Sequence, residues 1–222
     1  MVEGMLAETP TRREARKADR RRTIIEVAKQ GFLDRGYAET SMSTIAAALG
    51  GSKTTLWSYF RSKEELFEAV IEAKVADFRA KLDEALIPGG GTDAALGRFG
   101  RVLLRKILTP ESVALHRLIV SEAERFPEMG HAFAEHGPDR VRARLCIYIE
   151  EEMAAGRLRR GDAQMAARQF IALCQAGCYL ERLWRPTCKP ISDPDVDVAA
   201  AVDSFMAAWG PCGGNEAGGP PA

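Results

Sequence analysis

The chain lacks most of the sequence signals that mark enzymes, secreted proteins and membrane proteins. It has three histidines, none with a partner at catalytic spacing. The motifs of P-loops, dinucleotide folds and serine hydrolases do not occur. The longest apolar run, residues 170–180, is too short to cross a bilayer, and the N-terminus has no hydrophobic signal segment. We therefore expect a protein that is not an enzyme, needs no cofactor or metal, and has no membrane partner.

The cysteines do not form a disulfide framework. There are five, an odd number at irregular spacing, so the sequence predicts a reduced, cytoplasmic protein. Cys174 and Cys178 lie four residues apart on a predicted helix. Their ordinary interpretation is as small buried hydrophobes, and a redox-sensing pair stays as the alternative.

Two short helices joined by a glycine turn are the clearest feature that is present. Ser41 can cap a first helix, Gly50 and Gly51 can form the turn, and Ser52 can cap a second helix over about residues 53–60. Leu56 and Phe60 are four residues apart and face inward, which leaves polar and aromatic side chains outside. This pattern predicts a helix-turn-helix that binds the major groove of DNA. The predicted DNA-binding residues are Ser41, Ser43, Thr44, Ser52, Lys53, Thr54, Thr55, Trp57, Ser58, Tyr59 and Lys63.

The sequence around this motif resembles that of the TetR family of transcriptional regulators. The resemblance covers about residues 18–78 and includes the runs IIEVAKQGF, GYAETSMSTIAAALG and SKTTLWSYFRSKEELF. In the second half, GRLRRGDAQMAARQF resembles the C-terminal domain of regulators that control multidrug efflux pumps. The family resemblance implies a DNA-binding dimer with a ligand-binding C-terminal domain.

Charge is unevenly distributed although the net charge is zero. Residues 12–22 contain seven basic and two acidic side chains. A solvated segment is the ordinary interpretation of such a run, but directly before a helix-turn-helix it predicts an arm that contacts phosphates or the minor groove. We expect a basic flexible arm over residues 1–17, followed by a DNA-binding domain over residues 18–78.

Helical periodicity continues to the end of the chain, so the predicted fold is all-α, with a C-terminal helical ligand-binding and dimerisation domain over residues 79–209. One helix is expected from about residue 163 to 184, and the tail, residues 210–222, should be disordered. The helix at residues 170–180 is apolar on all sides, which predicts burial against a second copy as well as its own core. The predicted dimer residues are Phe170, Leu173, Gly177, Leu180, Val198, Val202, Phe205 and Trp209. A monomeric core built from the same residues is the alternative.

The middle helices are expected to enclose a ligand, as the family resemblance implies. Side chains with an apolar body and a polar tip, together with apolar walls, favour a small hydrophobic effector. The candidates are Leu104, Ile107, His116, Ile119, Phe133, Tyr148, Gln169, Phe170, Cys174 and Trp184, with Tyr179 as a further polar tip. The predicted function is a ligand-responsive repressor that binds a palindromic double-stranded operator as a homodimer. An activator or a redox-sensing regulator stays open as the alternative.

Overall fold

A computed structural model of the protein describes residues 11–50, 53–87, 89–185 and 193–211. Within these ranges the regular elements are eleven helices, and no strand is present. The helices are α1 (Arg12–Glu39), α2 (Met42–Ala48), α3 (Lys53–Trp57), α4 (Lys63–Ala85), α5 (Gly91–Ile107), α6 (Pro110–Glu122), α7 (Pro127–His136), α8 (Pro138–Ala154), α9 (Ala163–Gln175), α10 (Cys178–Trp184) and α11 (Pro194–Trp209). None of these helices is both long and apolar enough to span a bilayer.

The basic segment is helical, which corrects the prediction of a flexible arm for residues 12–17. Thr11 and Glu14 form a capping box: the Thr11 hydroxyl accepts from the Glu14 amide, and the Glu14 carboxylate accepts from the Thr11 amide at 2.8 Å. The sequence itself contains this T-x-x-E capping-box pattern. It starts α1 at Arg12. Residues 1–10 of the predicted arm lie outside the described residues.

The junction between α1 and α2 is a backbone kink at Gly36, which has a φ of 85° and a ψ of 165°. A side chain would be strained in that region of φ. The buried hydroxyl of Thr40 lies 2.8 Å from the carbonyl oxygens of both Gly31 and Gly36. Thr40 therefore holds the two sides of the kink together, so α2 leaves α1 at a fixed angle.

Two hydrophobic clusters share α4. Its first half contributes Leu66, Phe67 and Ile71 to an N-terminal cluster with α1, α2 and α3, which also takes side chains from α6 and α7. Its second half, from Phe78, joins a C-terminal cluster with α5, α8, α9, α10 and α11. The predicted boundary at residue 78 therefore falls inside one continuous helix.

The predicted helix over residues 163–184 is broken into α9 and α10. The break is at Gly177, where the Asp197 carboxylate of α11 occupies the space that a Cβ would fill and accepts from the Cys178 amide at 2.7 Å. The carboxylate thus caps α10 from another helix, an arrangement that residue spacing alone does not reveal. Side-chain N-caps start three further helices, with Thr109, Asp162 and Asp193 as the N-caps of α6, α9 and α11.

The predicted dimer stripe is mostly internal to the chain. Five of its members lie in the C-terminal cluster of the same chain and are at most 9% exposed: Phe170, Val198, Val202, Phe205 and Trp209. They pack where α9 and α11 contact each other, α5 and α8, so their side chains do not form an exposed contact stripe. Leu173, Gly177 and Leu180 are only half-buried, and their role in a dimer stays a prediction.

Candidate nucleic-acid interface and internal cavity

α3 is short and is anchored by two buried side chains. Leu56 is 2% exposed, and Phe60, in the turn after the helix, is fully buried. α3 ends at Trp57, earlier than the predicted end near residue 60. The Ser58 amide still contacts the carbonyl oxygens of Thr54 and Thr55 at 3.1 and 3.2 Å, so the turn after α3 continues its direction.

Most of the predicted DNA-binding side chains form one exposed polar surface on α2 and α3. Ser43, Lys53, Thr54 and Ser58 are exposed, and the Trp57 side chain is 48% exposed. The hydroxyls of Ser41 and Thr44 form the capping box of α2, and Thr55 and Tyr59 are half-buried. Ser52 lies outside the described residues, as does Gly51 of the predicted turn. Contact of these residues with DNA stays a prediction.

Lys63 does not project towards this surface. Its ammonium donates to the Tyr37 carbonyl oxygen at 2.6 Å and lies 3.9 Å from the centre of the Tyr37 ring. Burial lowers the pKa of the Lys63 ammonium below its usual value. The side chain turns inward because the Tyr37 ring and carbonyl satisfy its charge; its contact with DNA stays a prediction.

Sequence reasoning missed Arg61 and did not place Arg21, a member of the predicted basic segment, beside α3. Arg61, directly after Phe60, is exposed, and its position in the turn was the available signal. The Arg21 guanidinium lies 5.0 Å from the centre of the Phe60 ring, which places this part of α1 next to the end of α3. Because residues 12–22 are helical, Arg13, Lys17 and Arg21 share one face of α1 at four-residue spacing. A row of cations therefore leads towards the polar surface of α3.

A cavity of about 160 Å³, partly open to solvent, lies between the two clusters. Residues from α4, α5, α6, α7, α8, α9 and α10 line it: Ile71, Lys74, Val75, Phe78, Leu103, Lys106, Ile107, Ser112, Leu115, His116, Phe133, Gly137, Pro138, Val141, Ile171, Gln175 and Tyr179. Of the predicted ligand residues, Ile107, His116, Phe133 and Tyr179 are in this lining.

The other predicted ligand residues do not line the cavity, for three reasons. Leu104, Phe170 and Cys174 are fully buried in the C-terminal cluster, and Ile119 belongs to the N-terminal cluster. Tyr148 is buried in the C-terminal cluster beside Glu152. Trp184 is 68% exposed, and the exposed Gln169 accepts a hydrogen bond from the Trp209 indole at 2.8 Å.

His116 and Tyr179 contribute a pair of neutral polar groups to the lining. The tyrosine hydroxyl contacts the imidazole Nδ1, and the rings lie with their centres 5.8 Å apart. Burial lowers the pKa of His116 and raises the pKa of Tyr179 to about 12. Both groups are therefore neutral near pH 7 and available for hydrogen bonding rather than charge pairing.

Two lining lysines were not predicted. Lys74 lies on the same face of α4 as Ile71, Val75 and Phe78, and its ammonium is 2.5 Å from the Glu111 carboxylate. The Lys106 ammonium donates to the Lys74 carbonyl oxygen at 2.7 Å. The sequence signal was present, since Lys74 interrupts an apolar stripe at helical spacing.

The cysteine pair has no reactive character. Cys174 and Cys178 are free and fully buried. Burial raises the pKa of both thiols to about 12, helped at Cys178 by its contact with the Asp197 carboxylate. The thiolate is the reactive form, so the environment disfavours the redox-sensor alternative. Among the described residues, no three His, Cys, Asp or Glu side chains are grouped to hold a metal ion.

Comparisons with known proteins agree with this architecture. The family model described as bacterial regulatory proteins of the tetR family matches residues 24–70, and that of the AefR-like transcriptional repressor C-terminal domain matches residues 94–211. The uncharacterized HTH-type transcriptional regulator YhgD of Bacillus subtilis is 34% identical over 161 residues, which are 70% of this chain and 80% of YhgD.

Solved structures give the same result over nearly the whole chain. The flavonoid-responsive regulator FrrA is 31% identical with a TM-score of 0.75, over 88% of this chain and all of the FrrA chain. A TetR-family transcriptional regulator from Mesorhizobium loti is 26% identical, also with a TM-score of 0.75, over 90% of this chain and all of the other. The protein therefore belongs to the TetR family of bacterial transcriptional regulators.

Proposed function

We propose that this protein is a repressor that binds a palindromic operator as a homodimer and leaves it when a small hydrophobic molecule enters the cavity. The observation that carries the DNA-binding part is the polar surface of α3. Lys53, Thr54 and Ser58 are exposed there, while Leu56 and Phe60 anchor the helix from below. Hydroxyls and one cation on a firmly anchored short helix suit base edges and phosphates of the major groove.

The cations beside α3 supply the sequence-independent part of the binding. Arg61 and the α1 face with Arg13, Lys17 and Arg21 are exposed on the side of α3. Phosphate neutralisation by such side chains dominates affinity and makes it depend on salt. Base recognition by α3 then selects the operator among sequences that bind equally well through their phosphates.

The exposed faces of α9 and α11, which pack against each other, support the proposed dimer. Small side chains are uncovered there, Ala172 on α9, Ala176 at its C-cap, and Ala199 and Ala200 on α11. Small residues allow close approach of a second copy, and the half-buried Leu173 and Leu180 add apolar area. Two copies of α3 in successive major grooves need a separation of about 34 to 36 Å, and a two-fold dimer is the arrangement that matches a palindromic operator.

The cavity is placed to influence the DNA-binding domain through α4. The first turn of α4 holds Lys63 against Tyr37, and three turns later Lys74 and Phe78 line the cavity. A ligand that changes the position of α4 changes the separation of the two α3 helices. The flavonoid-responsive relative FrrA supports a small-molecule effector for this chain.

The DNA-binding and dimer parts can be tested on the full chain. Selection from random duplexes should return a palindrome with half-sites one helical turn apart, and sedimentation should show a dimer without DNA.

Ala172→Arg introduces a charge at an exposed position, so we expect a folded monomer with at least tenfold weaker operator binding. Val120→Arg, on the exposed face of α6, is the control. A parent protein that sediments as a monomer at micromolar concentration contradicts the dimer.

A further inference from the structure

The charge of the cavity lining is unbalanced. Lys74 and Lys106 belong to it, and no carboxylate is among the lining residues that the structure describes. The Lys74 side chain is only 12% exposed. A buried ammonium is costly unless it is paired. The partner of Lys74 therefore determines which ligands can bind beside it in the cavity.

That partner connects the cavity to the DNA-binding domain. Glu111, in the first turn of α6, contacts Lys74 with one carboxylate oxygen at 2.5 Å and Lys29 of α1 with the other at 3.2 Å. Lys29 also contacts Glu26 on α1. The hydrogen bond from Lys74 is the main reason why the pKa of Glu111 is below its usual value. A single carboxylate thus joins α1, α6 and the cavity-lining turn of α4.

We infer that the cavity binds a small aromatic acid whose carboxylate takes the place of Glu111 at Lys74 and so breaks the ion-pair link between the middle of α4 and α1. The inference rests on the proposed function and narrows its effector from a hydrophobic molecule to an amphipathic anion. Exchange of one carboxylate for another keeps Lys74 paired, and Glu111 keeps Lys29. Because neither Lys74 nor Glu111 is left without a charged partner, the exchange costs little free energy.

The size and walls of the cavity fit one aromatic ring. A cavity of about 150 Å³ holds benzene, close to the volume of 160 Å³ here. Phe78, Leu103, Ile107 and Phe133 supply apolar walls. The His116–Tyr179 pair offers a neutral hydrogen-bonding group for a ring substituent.

The exchange changes the connection between the two domains. With Glu111 at Lys74, an ion pair links the middle of α4 to α1 through α6, in addition to the direct packing of α1 on the first half of α4; with a ligand at Lys74, this link is broken, and the hydrophobic packing and the Lys29–Glu111 contact are left. A ligand acts on DNA binding only through its different affinity for the two arrangements. Operator DNA must therefore weaken binding of the acid by the same factor by which the acid weakens operator binding.

The charge of the ligand can be tested with an isosteric pair, cinnamate and cinnamamide, in calorimetric titrations of the full-length dimer. We expect cinnamate to bind at least about tenfold more tightly, since hydrogen bonds to charged groups are the stronger ones. Lys74→Met should remove this difference. Lys81→Met, exposed on the same helix, should retain it. Glu111→Gln removes the competing carboxylate and should tighten binding of cinnamate but not of cinnamamide.

The coupling is tested with Lys29→Met, which leaves the cavity intact. This variant should bind cinnamate less tightly than the parent, because Glu111 has no second lysine partner when it leaves Lys74, and saturating cinnamate should weaken its operator binding less. Circular dichroism of each variant establishes that it is folded.

Two results would overturn the inference and separate it from the proposed function. If cinnamate and cinnamamide bind equally in the parent and in Lys74→Met, the cavity is an effector site without a preference for acids. If neutral indole releases the operator and cinnamate does not bind, the effector is apolar, and only the inference is wrong. If none of the three binds, the effector part of the proposed function is wrong as well.

Discussion

The polar surface of α2 and α3 and the cavity hold their polar groups in opposite ways. On α2 and α3 the polar side chains are exposed, and two buried side chains, Leu56 and Phe60, hold the helix in place. In the cavity the polar groups are enclosed and already paired, Lys74 with Glu111 and His116 with Tyr179. Substitution on the first surface should change binding with little effect on stability. Substitution around the second should change both.

The largest expected effect is loss of an anchor. Phe60→Ala removes a fully buried ring, and such a change costs about 3 to 5 kcal/mol. We expect faster hydrogen exchange in α1, α2 and α3 and loss of operator binding, with α8 and α9 still protected. Phe170→Ala, equally buried in the C-terminal cluster, should show the reverse pattern. Equal loss of protection across both clusters in Phe60→Ala would mean that the chain unfolds as one unit.

The next expected effect compares a buried carboxylate, Glu152, with an exposed one, Glu84. Glu152 is 5% exposed and accepts two hydrogen bonds from Arg157, at 2.8 and 2.6 Å, and one from Thr92. Arg157 is the main cause that lowers the pKa of Glu152 below its reference value of 4.5. The resulting stabilisation is therefore complete above pH 4.5 and is lost as the pH falls through the lower pKa of the folded state.

Urea unfolding at neutral and acid pH checks this. Glu152→Gln should be less stable than the parent at pH 7 by about 1 to 3 kcal/mol, and the difference should shrink at low pH. Glu84→Gln, at an exposed position of α4, should leave the pH dependence as in the parent. A constant difference between Glu152→Gln and parent at every pH would show that packing, rather than charge, is lost.

A smaller effect distinguishes Lys53 from Lys63. Lys53 is exposed at the start of α3, whereas Lys63 donates to the Tyr37 carbonyl. Lys53→Ala should lower the slope of log affinity against log salt by about 0.9. Lys63→Ala should leave this slope unchanged and lower the thermal midpoint instead. Gel shifts over a salt series measure the slope, and a reduced slope in Lys63→Ala would show that the side chain turns outward when DNA binds.

What the sequence could predict differs between these two regions for a physical reason. Local sequence patterns can be recognised without knowledge of the fold. They include the caps of α2, α4, α6, α9 and α11 and the anchors Leu56 and Phe60. The cavity lining comes from seven helices, and whether Phe170 or Phe133 faces it depends on helix packing. Gly177 shows the same limit, because the Asp197 carboxylate that caps α10 is twenty residues away in the chain and adjacent only in the fold.

The capping box at Thr11 and the inward turn of Lys63 differ in the same way, since one is a local pattern and the other depends on packing. The first is a local signal and was available, so the helical basic segment could have been predicted. The second depends on Tyr37, brought to Lys63 from another helix. The dimer residues also depended on packing: the apolar periodicity of α11 correctly identified a buried face, but that face is buried in its own chain.

The smallest expected effect concerns the buried thiols. Cys174 and Cys178 are fully buried with a pKa of about 12, so at pH 7 almost no thiolate is present to react. In a Cys188→Ser, Cys212→Ser background, which removes the two thiols outside the described residues, diamide should leave operator affinity unchanged. Iodoacetamide should label the remaining thiols only after unfolding in guanidinium. A change of operator affinity on oxidation of this background, reversed by a reductant, would restore the redox-sensing alternative and show that the C-terminal cluster opens more often than its burial indicates.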